Sequence, residues 1–583
     1  MSELEEAERF LRKVESDTKT IRYCYGRAEL FNEALKIYRK IGDGKRKTEM
    51  IWEILLFQLR FLTILEERKS LNRRFAPMVE YANGTVYPDI RTFTDPQIDY
   101  YKARARITSN LIHKARYNDI VWELKKDHAY GREAIYAYLQ CVGVYYDNDW
   151  QNEIADSLLR AVELALTLND QTAIDAVKKD LFHWIEILAK TGKFRWCLEL
   201  IDAALEMKRY LQNNELEICV DIAKSAAGFY ANVKDGYNLQ QSFLKKLVVL
   251  MNTLKKPKEA LSFMEQIAES FVEEGNWKLN NYPSGDLVAA FFYEMAAKMY
   301  RDLGRKEKSN ELMKKVKTHT EKAEVGFMEI KASVEIPNQP LRDYIASLES
   351  LSLPDALKKI ALEDSFVPNL SRIRSELERQ KGKSLALVIP RVSIRDGNPV
   401  LRSQTESDIL QDNLVERVVL EYKIYGSLIG EILNELVQKK SLNHGSLLSF
   451  LVSSPVFERS SQKLLEVGLE RYFFGDYVSC LHVLTPQLES ALRQMMGKLG
   501  VPTTMIDGDA IEEKPLGNVL RERKMKELLG EDISFYISCV FEDKRGDNLR
   551  NDIAHGLISE EACTRNTADI VLHIFLLLTR FRT

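Results

Sequence analysis

The chain has 583 residues, too many for one hydrophobic core, so several domain-sized units or an extended repeat array are expected. With 45% hydrophobic and 29% charged residues it has the make-up of an ordinary foldable protein. Its 83 basic and 86 acidic side chains nearly cancel, which excludes a global field for nucleic acid and leaves any RNA contact to local patches. Its cysteines are scattered without a Cys-x-x-Cys pair, which reads as reduced thiols and offers no zinc site. The opening residues are acidic, unlike a secretory leader, and the longest apolar stretch, Ile570 to Leu578, falls well short of the roughly 20 residues of a membrane span. A cytoplasmic protein without membrane contact is expected.

To about residue 330 apolar residues recur at spacings of three and four, which predicts helices almost throughout, with a loop over Tyr81 to Asp89. Residues 1–125 are a first helical region. Over 126–335 the helices come in pairs, with alanines where they cross and aromatics beside them. This is similar to tetratricopeptide-type repeats in an irregular form and predicts an α-solenoid. Such an array presents a concave surface to a protein partner or an activating ligand, or is packed for purely structural reasons.

Residues 336–404 read as a connector, marked by Pro337, Pro340 and Pro354, with one short β-hairpin: Ser384 to Ile394, a turn at Asp396-Gly397-Asn398, then Pro399 to Leu401. From 405 to 583 helices return, at about 406–438, 447–452, 457–474, 476–498, 516–529, 533–555 and 560–581. Asp476 suits an N-cap, and Pro486 kinks its helix without ending it. The fold class is therefore all-α with one short β-hairpin, a solenoid followed by a compact helical set.

Chemistry concentrates in Arg550-Asn551-Asp552-Ile553-Ala554-His555, followed by Gly556. An imidazole exchanges a proton near neutral pH, and an arginine beside it can hold a phosphate whose charge grows during reaction. That pairing suits phosphodiester cleavage without metal. On a regular helix positions five apart point about 140° away from each other, so Arg550 and His555 do not share a face, whereas Asn551 and His555 do. Either the arginine stem wraps round, or the helix is disturbed near Gly556, or a second copy of the chain completes the site. The last helix, apolar on several faces around Ile570 to Leu578, fits a homodimer that covers it.

Leu549 to Leu557 resembles the signature Arg-Asn-x-x-Ala-His-Gly of an uncharacterised domain family in the HEPN (higher eukaryotes and prokaryotes nucleotide-binding) superfamily. Phe473 to Arg493, ending in Pro486-x-x-Glu489-x-x-x-Arg493, resembles the helix that precedes that signature. A weaker similarity over Ala105 to Leu111, Lys114 to Trp122 and Ala134 to Leu139 is to the helical region often joined to this domain. The resemblance implies a HEPN-type helical bundle over about 457–583 that dimerises. It also implies a metal-independent endoribonuclease that leaves 2′,3′-cyclic phosphates and needs no cofactor. Its Arg-x4-His pattern assigns Arg550 to the phosphate, His555 to proton transfer, and Asn551 to positioning of phosphate or imidazole. Toxin-antitoxin and antiviral settings are common among such relatives.

Glu489 and Arg493, four apart, form a pair that braces the motif or contacts substrate, and Gly556 closes the segment. Arg521, Arg523, Lys524, Lys526, Lys544 and Arg545 track an RNA backbone or belong to a solvated face with Glu522 and Glu527. No histidine pair has metal-ligand spacing, and there is no phosphate loop, nucleophile elbow or kinase signature. The competing reading is a non-catalytic scaffold that dimerises through the HEPN-like domain and binds RNA or nucleotide.

Overall fold

The three-and-four spacing of apolar residues folds into helices along nearly the whole chain in the computed structural model, which describes residues 3–19, 24–61, 75–81, 84–324, 338–380, 391–395, 398–403, 405–457, 461–507 and 510–581. The contacts divide it into two units, Met1–Val316 and Lys317–Thr583.

The first unit begins with α1 (Glu3–Ser16), α2 (Cys24–Lys40) and α3 (Gly44–Gln58). Two small antiparallel ladders follow, β1 (Arg60–Phe61) with β2 (Phe75–Ala76) and β3 (Val79–Glu80) with β4 (Val86–Tyr87). These ladders were not expected, and the second lies partly in the stretch read as a loop. Next come α4 (Asp95–Ile107), α5 (Leu111–Lys125), α6 (His128–Asp147), α7 (Gln151–Leu168), α8 (Gln171–Lys190), α9 (Cys197–Glu206), α10 (Asn213–Ala231), α11 (Tyr237–Thr253), α12 (Pro257–Asn281), α13 (Gly285–Asp302) and α14 (Lys306–Glu324).

Asp43, Asn110, Asp127 and Asp170 start α3, α5, α6 and α8 by accepting the free N–H groups of their first turns. From α5 to α8 and from α10 to α13 each helix packs on the next, with Ala134, Ala161, Ala226 and Ala289 fully buried among the helix contacts. The solenoid of helix pairs is therefore present. It does not start cleanly at 126, because α5 serves two cores: Tyr117, Ile120 and Val121 pack with α1–α4, and Ile112, Ala115 and Trp122 pack with the helices that follow.

The second unit contains helices where a connector was expected: α15 (Asn338–Glu349), α16 (Leu353–Ala361) and α17 (Leu370–Gln380), whose Leu348, Leu357, Ile360 and Ile373 belong to its main core. Pro354 is in the first turn of α16, where its missing N–H costs nothing, so it starts a helix and does not mark a linker.

The hairpin is β5 (Arg391–Arg395) with β6 (Asn398–Ser403). The expected segment 384–390 and the turn residues 396–397 lie outside the described residues. Then come α18 (Glu406–Lys440), α19 (His444–Val452), α20 (Gln462–Phe474) and α21 (Tyr477–Lys498). An unexpected ladder, β7 (Thr504–Asp507) with β8 (Ala510–Glu513), precedes α22 (Leu516–Arg521), α23 (Arg523–Phe541), which is kinked at Gly530 where its φ is 78°, α24 (Leu549–His555) and α25 (Arg565–Leu578).

Asp476 caps α21 as expected, accepting from Ser479 N at 3.0 Å, and the helix runs on through Pro486. Every residue of α25 from Ala568 to Leu578 is buried by the chain itself, against α16, α18 and α21. Its several apolar faces thus need no second copy to cover them. Among the described residues no helix is long and apolar enough to cross a membrane.

Candidate active site

The predicted helix over 533–555 is broken. α23 ends at Phe541, and a polar turn, Glu542 to Asn548, folds back so that Asp547 N donates to Cys539 O at 3.0 Å. Gly546 sits so close to the Cys539 carbonyl that a side-chain carbon there would collide with backbone. Arg545 fastens the turn, with its guanidinium on both Asp543 oxygens at 2.9 and 2.7 Å and on Asp412 Oδ1 at 3.1 Å. Asn548, in the left-handed region at φ 52°, then launches the seven-residue α24, and Gly556 at φ 67° ends it. The candidate motif therefore occupies a short helix of its own.

Asn548 also orders the polar side of α24. Its Oδ1 accepts from Asn551 Nδ2 at 2.7 Å, and its Nδ2 donates to Asp552 Oδ1 at 2.7 Å. Arg550 donates from Nε to Glu489 Oε2 at 2.9 Å and from one terminal nitrogen to Asn551 Oδ1 at 3.1 Å. Glu489 is shared, because Arg493 donates to its other oxygen at 2.6 Å and also reaches Glu513 Oε2 at 3.0 Å. Burial alone would raise the Glu489 pKa, but the hydrogen bonds and charges of Arg550 and Arg493 outweigh it and hold the carboxyl below the usual glutamate range. The neighbouring Glu542 goes the other way. Burial raises its pKa, and Arg521, at 3.8 Å, only partly offsets this.

His555, at the end of α24, is exposed and makes no hydrogen bond or ion pair among the described residues. Asn551 and Arg550 come together, as do Arg550, Glu489 and Arg493. Arg550 and His555 have no contact, in keeping with their five-residue separation. The pair Glu489–Arg493 is a brace for Arg550.

The expected basic cluster is mostly engaged within the chain. Arg521 donates to Asn518 Oδ1 at 2.9 Å, Arg523 to Glu527 at 2.7 Å, and Lys524 to the Leu499 carbonyl at 2.9 Å, all exposed. Lys526 and Lys544 are exposed, while Arg545 is the turn fastener described above, with its guanidinium on Asp543 and Asp412. A polar cleft of about 340 Å³ flanks α24 on its Asp552 side, lined also by Lys423, Asp547, Ser559 and Asn566. Neither Arg550 nor His555 is in its wall.

Sequence reasoning missed Asn548, Glu513 and Asp412. Only Asn548 carried a readable signal, an Asn immediately before a helix start.

Residues 23–177 match the model of a domain of unknown function (DUF7380), a stretch that includes the weaker similarity over 105–139 and lies apart from the α24 motif. No curated protein matches the chain.

Proposed function

We propose that the chain is a HEPN-type, metal-independent endoribonuclease acting through Arg550, His555 and Asn551. The carrying observation is that the two reactive groups have free chemical capacity on one short surface helix. Arg550 uses two of its five N–H donors and is braced by Glu489, and His555 has no partner among the described residues. Remaining guanidinium N–H groups then hold the scissile phosphate and stabilise its growing charge. The imidazole removes the 2′-hydroxyl proton, the 2′-oxygen bonds to phosphorus, and the P–O5′ bond breaks as an imidazolium formed in this way protonates the leaving oxygen. Regular helical geometry keeps Arg550 and His555 on different faces, so one phosphate meets both most readily when a second copy contributes. An uncontrolled ribonuclease harms its own cell, so the helical first unit is read as its restraint, in a cytoplasmic host-defence or toxin-like setting.

The product ends test this. In EDTA a labelled RNA should yield 2′,3′-cyclic phosphates, and a single 2′-deoxy substitution at the cleaved position should block cleavage there. Products ending in 3′-hydroxyls would contradict it.

One observation favours a second reading, a dimerising scaffold that binds RNA or nucleotide. Glu489 already neutralises Arg550, as a purely structural ion pair would.

A further inference from the structure

The first unit contains a cleft of about 620 Å³ between α2, α3, α5, α6 and α7, within the roughly 300–1,000 Å³ of small-molecule sites. Its walls carry four aromatic rings, Tyr25, Phe57, Tyr138 and Tyr145, beside Leu59, Met78 and Ile112. Two cations reach this wall: Arg60, which is exposed and donates to the Pro77 carbonyl at 3.1 Å, and Arg116, which is only 5% exposed. One of its terminal nitrogens donates to the carbonyls of Leu56 and Leu59, and its guanidinium lies 4.7 Å from the Phe75 ring centre. Its Nε has no acceptor, and it makes no ion pair among the described residues.

Arg160, similarly buried one helix away, shows what a core arginine normally has: Asp119 and Glu123, each at 2.6 Å. Asp119, the acid one turn from Arg116, is already taken by Arg160 and the Tyr138 hydroxyl. Glu153 and Asp156 also line the cleft, and neither is free. A buried guanidinium without a counter-ion is costly, and an organic anion would supply that counter-ion where an aromatic wall can receive its body.

We propose that this cleft binds a small organic acid, an apolar, preferably aromatic molecule whose carboxylate meets Arg116. All the wall residues fall within 23–177, the stretch the family model covers. The proposal stands whether or not the chain cleaves RNA.

Calorimetry on the full chain with indole-3-acetate, 3-phenylpropionate and octanoate, each compared with its neutral amide, tests it. At least one acid should bind, at least tenfold more tightly than its amide. Arg116→Gln should abolish that preference, and Gln58→Trp, which fills the cleft, should remove binding of acid and amide alike. Equal affinity for acid and amide, no binding by any of the three acids, or an unchanged preference in a folded Arg116→Gln protein would overturn it. If Arg116→Gln fails to fold, the acid-to-amide ratio in the wild type and the Gln58→Trp result still decide.

Discussion

Glu489 is the residue on which the candidate site turns. Its two oxygens are divided between Arg550 and Arg493, and it is largely buried, so truncation leaves two guanidinium groups without their shared acid. Glu489→Ala should cost about 1–3 kcal/mol in urea unfolding and lower RNA cleavage at least tenfold, because Arg550 loses its brace. Unchanged cleavage would count against Arg550 being positioned through Glu489. Its depressed pKa contributes stability above the unfolded glutamate value that is lost only as pH falls through the lower folded value, so the brace stays charged near neutrality.

Asp569 behaves in the opposite sense. It is 2% exposed, accepts from the Tyr472 hydroxyl at 2.5 Å and has Arg565 at 3.6 Å, yet burial pushes its pKa up to about 6. A carboxyl raised in this way stabilises the fold when protonated, and that stability is lost as pH rises from about 4 through about 6. Asp569→Asn should therefore gain about 2 kcal/mol on the wild type between acid and neutral pH in parallel denaturation curves. A difference that does not change with pH would contradict this account of Asp569.

At the scale of elements, the turn between α23 and α24 sets where the motif sits. Gly546→Ala would push a methyl into the Cys539 carbonyl, a backbone atom that cannot rotate away. A loss of about 2–4 kcal/mol is expected in urea unfolding, and a change under 0.5 kcal/mol would show that the turn yields.

The same turn shows what the sequence could and could not reveal. Long amphipathic helices, the Asp476 cap and the passage through Pro486 were legible because they depend on local spacing and capping. Residues 542–548 carried Asp, Gly and Asn turn signals, but apolar periodicity on either side masked them, because Phe541 and Leu549 are buried in one core. Prolines at 340 and 354 suggested a linker, although a proline is equally at home in a first helical turn, as in α16. Asp412, the distant partner of Arg545, left no mark in the sequence because only folding brings it there, whereas Glu489 was expected as a brace and its direct bond to Arg550 was not.

For the whole molecule, burial of α25 removes the apolar-face argument for a homodimer, and any contact between copies must use other surface. Around the Gly475 turn, Phe474 is 83% exposed and Val478 41% exposed, an apolar patch that such a contact would cover. Phe474→Asp should yield a monomer in light scattering with unaltered melting temperature and should lose RNA cleavage. A dimer that persists would move the interface elsewhere.

Arg550 and His555 are proposed to cut RNA together without metal. The most direct measurement follows single-stranded RNA in EDTA with wild type, Arg550→Ala and His555→Ala. Cleavage by wild type should survive EDTA and fall at least a hundredfold in each variant, in line with loss of a proton-transfer or charge-stabilising group. Equal cleavage by all three proteins would contradict it.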